Sequence, residues 1–208
     1  MPDPVTDARV PLDRLLGVLE LERIEVDLFR GFSPPESRVR VFGGQVAAQA
    51  LLAAIRTVEA AKTVHSLHAY FLRPGDPTRP IVYQVDRIRD GRSFATRRVV
   101  GTQGGHAIFN LQASFHAPEA GYEHQLPMPA GLPDPDTLRL AEEWKLDEDD
   151  ERRGDFLHAV QPVVARVVPS DDPYRRFVWF RANGRLPDDP VLHQVVFTYA
   201  SDLTLLGA

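Results

Sequence analysis

The chain has 208 residues, is 43% hydrophobic, carries a formal net charge of -5 and contains no cysteine. That much apolar material supports one large core or two small ones and excludes disorder for most of the length. The acidic balance argues against a nucleic-acid or anionic-membrane surface, and the missing thiols exclude a disulfide framework, thiolate zinc sites and a cysteine nucleophile. Met1 to Arg9 lacks a basic-then-apolar signal pattern, and no apolar run approaches the roughly 20 residues needed to span a bilayer, so a cytoplasmic protein is expected.

Leu12 to Leu19 has the spacing of a short amphipathic helix, and Leu21 to Phe29 alternates imperfectly, as a half-buried strand does, ending at Phe29-Arg30-Gly31. After Ser33-Pro34-Pro35, residues Val46, Ala47, Ala50, Leu51, Ala54 and Val58 recur at helical spacing, with Gly43-Gly44 where the helix begins. Small side chains let such a helix lie close to a sheet. Val64 to Leu72, Ile81 to Ile88, Ser93 to Thr102 and Ala107 to Phe115 are rich in β-branched and aromatic residues and supply one. Their punctuation is Arg73-Pro74-Gly75-Asp76, then Asp90-Gly91 and Gly104-Gly105, the last two being hairpin signals. Strand, helix and antiparallel meander in that order predict an α+β hot-dog, a long helix wrapped by a curled sheet.

From Pro118 to about Asp155 the composition turns Pro-rich and then acidic (Asp147 to Glu151), which reads as a solvent-facing linker with one helix around Leu138 to Trp144. Strands are predicted at Val163 to Val168 and Arg176 to Ala182, closed by Asn183-Gly184, followed by a helix over Val191 to Leu206. This second stretch repeats the opening of the first: a strand, Phe-Arg (Phe29-Arg30; Phe180-Arg181), glycine, then a helix with Gln-Val (Gln45-Val46; Gln194-Val195). In the first copy four strands follow the helix, and in the second none does. The expected division is an N-terminal hot-dog over residues 12–116, a linker over 117–160 and the start of a second hot-dog over 161–208. The second helix would then need an additional segment or a second subunit to cover its apolar face.

On that helix Asp202 lies three residues after Tyr199, seven after Val195 and four before Leu206, on the apolar stripe. Alignment of the copies on Gln45 and Gln194 sets Ala53 opposite Asp202, so one half carries an acid where the other has a methyl group. Partial desolvation of such a carboxylate raises its pKa toward values useful in a general base. The alternative is structural: a hydrogen bond to Ser201 or Thr198, or a place in solvent at the helix end.

The surrounding residues, Arg181-Ala182-Asn183-Gly184-Arg185-Leu186-Pro187-Asp188-Asp189, Leu192-His193 and Tyr199-Ala200-Ser201-Asp202, closely resemble the second half of bacterial acyl-CoA thioesterase II, the TesB family. The first half agrees independently through Val41 to Val46, His65-Ser66-Leu67-His68, Tyr70 to Asp76, Arg89 to Phe94 and Arg97-Arg98-Val99. The resemblance covers nearly everything but the linker. It implies a double hot-dog enzyme that hydrolyses acyl-CoA to free fatty acid and CoA, with no metal or redox cofactor, using an Asp-Thr-Gln constellation that holds and activates water. Asp202 matches the aspartate. The threonine and glutamine of the family belong to strands beyond residue 208 and have no counterpart here, so the resemblance implies a C-terminally incomplete second hot-dog. It also implies acyl-CoA as the partner molecule, with either a homo-oligomer or pairing with a completing segment.

Other residues compete for roles. His65 corresponds to a family histidine and ranks second to Asp202 as a catalytic candidate; His68, at odd spacing from it, should face the other way. Free backbone N–H groups at Gly43-Gly44-Gln45 could polarise a thioester carbonyl, or serve helix packing alone. Arg73, Arg87, Arg89, Arg92, Arg97 and Arg98 could meet CoA phosphates. Asp188 and His193 near Pro190 resemble the dyad of hot-dog enoyl-CoA hydratases, although helix capping by Asp188 or Asp189 explains them equally. A third possibility is an acyl-CoA-binding subunit without turnover.

Overall fold

A computed structural model of the chain describes residues 9–35, 40–140, 162–172 and 174–203. Its elements are α1 (Arg9–Leu19), β1 (Glu22–Glu25), β2 (Leu28–Gly31), α2 (Gly43–Ile55), β3 (Thr63–Phe71), β4 (Ile81–Asp90), β5 (Phe94–Gln103), β6 (His106–His116), a 3-10 turn at Pro135–Thr137, β7 (Val163–Val168), β8 (Phe177–Ala182) and α3 (Pro190–Ser201). The first six strands form one antiparallel sheet in the order β1-β2-β4-β5-β6-β3, and β7 pairs with β8 in a second, antiparallel sheet.

The sheet curls round α2 because the helix offers almost no side-chain bulk. Ala48, Ala50, Ala53 and Ala54 are fully buried, and Leu51 and Val46 fill the remaining gaps. Facing them, Tyr83 and Val85 of β4, Ala95 and Val99 of β5, and Phe109, Leu111, Ala113 and Phe115 of β6 alternate inward along their strands. Burying each of the larger side chains stabilises the fold by about 1.5–3 kcal/mol. The fold is the expected α+β hot-dog.

Three local expectations are corrected. The single strand read over Leu21 to Phe29 is a hairpin, β1 turning into β2 at Asp27, whose φ of 60° is the left-handed turn that aspartate tolerates. Arg87 then clamps the Asp27 carboxylate through Nε and Nη2. The four strands after α2 are not one meander: Arg73 to Pro80 carries the chain across, so β3 pairs with β6 and only β4-β5-β6 run in sequence. The Gly104-Gly105 hairpin stands as read, both residues having positive φ. The helix expected from Leu138 is absent where described: Leu138 is extended after the 3-10 turn and Leu140 forms a β-bridge with Arg166. Residues 141–161, including the acidic run, lie outside the described residues.

The second stretch does not stand apart. Val195, Val196, Tyr199 and Ala200 of α3 join the same apolar core as α2, and Gln194 Nε2 donates to the Val64 carbonyl at 3.2 Å. The helices approach closely because Gly44 has no side chain; a Cβ there would lie 2.3 Å from the Tyr199 carbonyl oxygen. β3 is the sheet edge next to α3, and Leu67, Tyr70, Phe71 and Leu72 are exposed along it and just beyond.

Candidate active site

The α3 helix starts on a well-formed cap: Asp189 accepts from the N–H groups of Val191 and Leu192, and Pro190 occupies the first turn. It ends at Ser201, leaving Asp202 as the residue that closes the last turn through an N–H bond to Ala200. Asp202 is therefore half-buried at the helix end rather than inside the helix. Ser201 and Thr198 do not hold its carboxylate; their hydroxyls donate to the Thr198 and Gln194 carbonyls.

What meets the carboxylate comes from the other half of the chain. The Gly44 N–H, in the first turn of α2, donates to it, and Asp202 Oδ2 lies 2.6 Å from where a Cβ on Gly43 would stand. The Phe71 ring, at the end of β3, closes on the same point, with Cε1 at 2.8 Å. Phe71 is 56% exposed and rests on Phe109, ring centroids 5.1 Å apart. Desolvation pushes the Asp202 pKa up, and the Gly44 hydrogen bond and the Arg40 charge partly oppose it. Beside it, Tyr199 packs edge-on against Phe42 at 4.9 Å, its phenol pKa raised by burial. The result is a carboxylate more basic than a free one, oriented by a backbone donor and walled by an aromatic ring.

His65 is elsewhere. It sits at a bulge at the start of β3, six residues or roughly 20 Å along the strand from Phe71. Its Nε2 is 2.9 Å from Ser114 Oγ, and its ring contacts Phe94 and His116 on the outward face. His68 has a different neighbour, Tyr70, at 4.7 Å. The bulge breaks the alternation on which their opposite facing was argued, yet the two histidines still do not form a pair.

The remaining candidates separate as well. The arginines do not form one patch: Arg73 donates to the Ala107 carbonyl, Arg87 binds Asp27, Arg98 lies 3.5 Å from Asp86, and Arg97 is buried. His193 Nε2 is 2.9 Å from the Pro187 carbonyl and Asp189 is the helix cap, so no Asp188–His193 dyad is assembled. Gly43-Gly44 faces Asp202, a relationship that reading each half on its own could not show. The only sequence signal was two adjacent glycines at the start of a helix, where helix packing was the simpler account.

A buried helix wrapped by a curled antiparallel sheet is the hot-dog architecture of acyl-thioester hydrolases, and here a second helix brings a partly desolvated carboxylate to the N-terminus of the first. Comparison with known proteins agrees. Residues 33–116 match the acyl-CoA thioesterase N-terminal domain and residues 147–208 match the acyl-CoA thioesterase model. The chain is 36% identical over 200 residues to acyl-CoA thioesterase 2 of Haemophilus influenzae, covering 92% of this chain and 70% of that protein. It is 37% identical to human acyl-coenzyme A thioesterase 8, covering 99% and 69%. Among solved structures, TesB2 of Mycobacterium marinum superposes with a TM-score of 0.74 at 41% identity, over 93% of this chain and 68% of that one. A hot-dog protein from Alicyclobacillus acidocaldarius, at 18% identity and a TM-score of 0.68, shares the fold. The chain belongs to the acyl-CoA thioesterase II (TesB) family, and its reaction is hydrolysis of acyl-CoA thioesters.

Proposed function

We propose that Asp202 is the group that activates water in this hydrolysis. Its carboxylate takes a proton from a water molecule as the water oxygen attacks the thioester carbonyl carbon. The tetrahedral intermediate collapses with cleavage of the C–S bond, the CoA thiolate leaves, and the proton held on Asp202 passes to the thiolate or to solvent, giving free fatty acid and CoA and restoring the carboxylate. The observation that carries this reading is the desolvated Asp202 carboxylate held at the α2 N-terminus, beside an exposed aromatic ring. A general base gains from a raised pKa provided that it is still ionised near neutrality, and one backbone donor together with Arg40 keeps the rise in check.

The threonine and glutamine partners that the family uses would come from strands paired onto the second unit, in an extended chain or from a second subunit. Two features support this: β7-β8 has two strands among the described residues, and two-stranded sheets are marginal alone. The β3 edge, with exposed Leu67, Tyr70, Phe71 and Leu72, is the adjoining surface that such strands would cover. The same reading places residues 12–116 in the first hot-dog and 161–208 in the second, and has the reaction run in the cytosol. No described helix is long and apolar enough to cross a membrane.

The test is thiol release from acyl-CoA by this chain, by a form extended with the further C-terminal strands of its relatives, and by Asp202→Asn in whichever form turns over. Loss of about 100-fold or more in kcat is expected for Asp202→Asn. Unchanged turnover would discard Asp202 as the base.

A further inference from the structure

We infer that Gly43 is a positioning residue: its missing side chain is what allows the first turn of α2 to close on the Asp202 carboxylate, so that the helix of one hot-dog holds the acid of the other. The inference rests on Asp202 being the water-activating acid.

The geometry is specific. An ideal Cβ on Gly43 would lie 2.6 Å from Asp202 Oδ2 and 2.8 and 3.1 Å from Phe71 Cε1 and Cζ. Its φ is not positive, so the backbone there is one that any residue adopts. Alanine is also a better helix former than glycine, so local helix energetics favour a replacement. What demands glycine is the space. Phe71 is backed by Phe109, and Asp202 is short and already hydrogen-bonded to Gly44, so a methyl group must displace the carboxylate, the ring or both. A carboxylate moved off the Gly44 N–H loses a donor that favours its ionised form and loses its aim at the attacking water. Among the described residues, Gly43 and Gly44 from α2, Phe71 from β3 and Arg40 from the preceding segment stand against Asp202.

The experiment follows the Gly44 amide resonance by NMR across pH in the wild-type chain, in Gly43→Ala and in Asp202→Asn, with acyl-CoA turnover measured in the form that hydrolyses it. In the wild type the Gly44 amide should titrate with the carboxylate, and in Asp202→Asn that titration should vanish. In Gly43→Ala its midpoint should move upward, or its amplitude collapse. The variant's kcat should fall about 10- to 100-fold with KM changed little, and the acid limb of its pH–rate profile should rise with the midpoint. A folded Gly43→Ala protein with wild-type kcat and wild-type Gly44 titration overturns the inference, as does a wild-type Gly44 amide that does not titrate. Full turnover by Asp202→Asn with a titrating wild-type Gly44 would instead sink the catalytic reading and leave the contact standing. Should Gly43→Ala not fold, Gly43→Ala with Phe71→Ala frees the ring's space and leaves the carboxylate as the group that must move. Compared with Phe71→Ala alone, it should show the same loss of kcat and the same change in titration.

Discussion

The Gly44 N–H at the start of α2 donates to the carboxylate of Asp202 at the end of α3, so a hydrogen bond joins the start of one helix to the end of the other. The positive end of the α2 dipole favours the ionised acid, whereas the C-terminal end of α3 and partial desolvation oppose it. Desolvation is the largest contribution, and the pKa rises above its ordinary value of 3.8.

Asp202→Asn should therefore make the protein slightly more stable at neutral pH while removing its activity. The sign follows from proton linkage. A carboxyl whose folded pKa is raised binds more protons folded than unfolded, so its charge costs stability increasingly as pH climbs through the folded pKa, and the cost disappears below about 3.8. Asn keeps an acceptor for the Gly44 N–H without the charge. Because Asp202 is only half-buried, solvent screens the effect, and the rise in Tm should not exceed about 3 °C, or roughly 1 kcal/mol in a chain of this size. Thermal melts of the two proteins at pH 7 and pH 3.5 check it: the gap should close at the lower pH, and a gap that widens would contradict the assigned sign.

Arg40 lowers the Asp202 pKa by charge alone, across an exposed position. Arg40→Gln should raise that pKa further and shift the acid limb of the pH–rate profile upward. The loss of kcat/KM should be about twofold on the acid side and negligible well above the limb, as expected of a solvent-screened charge. Raising the ionic strength should erase the difference, which separates the charge effect from any change of local structure.

The parts of this molecule that could be read from its sequence are those governed by local periodicity. The Ala-rich run produced α2 from Gly43, and the alternating strands lie within a few residues of where their patterning put them, because each property depends on neighbours in sequence. Strand order was harder. Arg73-Pro74-Gly75-Asp76 has the composition of a turn between neighbouring strands of a meander but acts as a crossover, and only the pairing of β3 with β6 distinguishes the two. The candidate acid was legible from its place on the α3 stripe, whereas its donor and aromatic wall were not. Gly44 and Phe71 are more than 130 residues away and meet Asp202 only because α2 and α3 pack together. The arginines of the meander share a composition but have separate fates: one clamps a turn at Asp27 and another is swallowed by the core.

Tyr83 is fully buried beneath α2 and its hydroxyl donates to Gln49 Oε1 at 2.7 Å, while Gln49 Nε2 ties the Val18 and Phe32 carbonyls at 2.6 and 3.0 Å. One buried glutamine thus fastens α1 and the segment after β2 to the central helix. Tyr83→Phe would leave Gln49 Oε1 without that donor in an apolar surrounding, at a cost of about 1–3 kcal/mol. A drop in Tm of several degrees with near-normal KM is expected. An unchanged Tm would mean that the network rearranges without loss.

Among the described residues Arg97 is the largest fully buried side chain, 1% exposed, and it stands on β5 between inward-facing Ala95 and Val99 where a hydrophobic residue would ordinarily be. Burial of a guanidinium is tolerable only because its fork is filled. Nε donates to Thr57 Oγ1 at 2.8 Å, Nη1 to the Arg89 and Thr96 carbonyls, and Nη2 to the Thr57 carbonyl and the Asp90 carboxylate. The residue closes the sheet against the loop that follows α2, and three nitrogens are needed to do so. Arg97→Lys keeps the charge but supplies one nitrogen on a shorter reach, leaving two of the Thr57 and Arg89 acceptors unpaired in the core. The expected destabilisation is about 2–4 kcal/mol, measured by chemical denaturation at neutral pH. Arg97→Met strands all of these acceptors but removes the buried charge, and replacing a buried ion by an apolar side chain is often less costly than leaving it poorly paired. If Arg97→Met proves no worse than Arg97→Lys in spite of the additional unpaired acceptors, the poorly paired ammonium is what Arg97→Lys suffers from; if it is much worse, the hydrogen bonds and the charge facing Asp90 together carry the stabilisation.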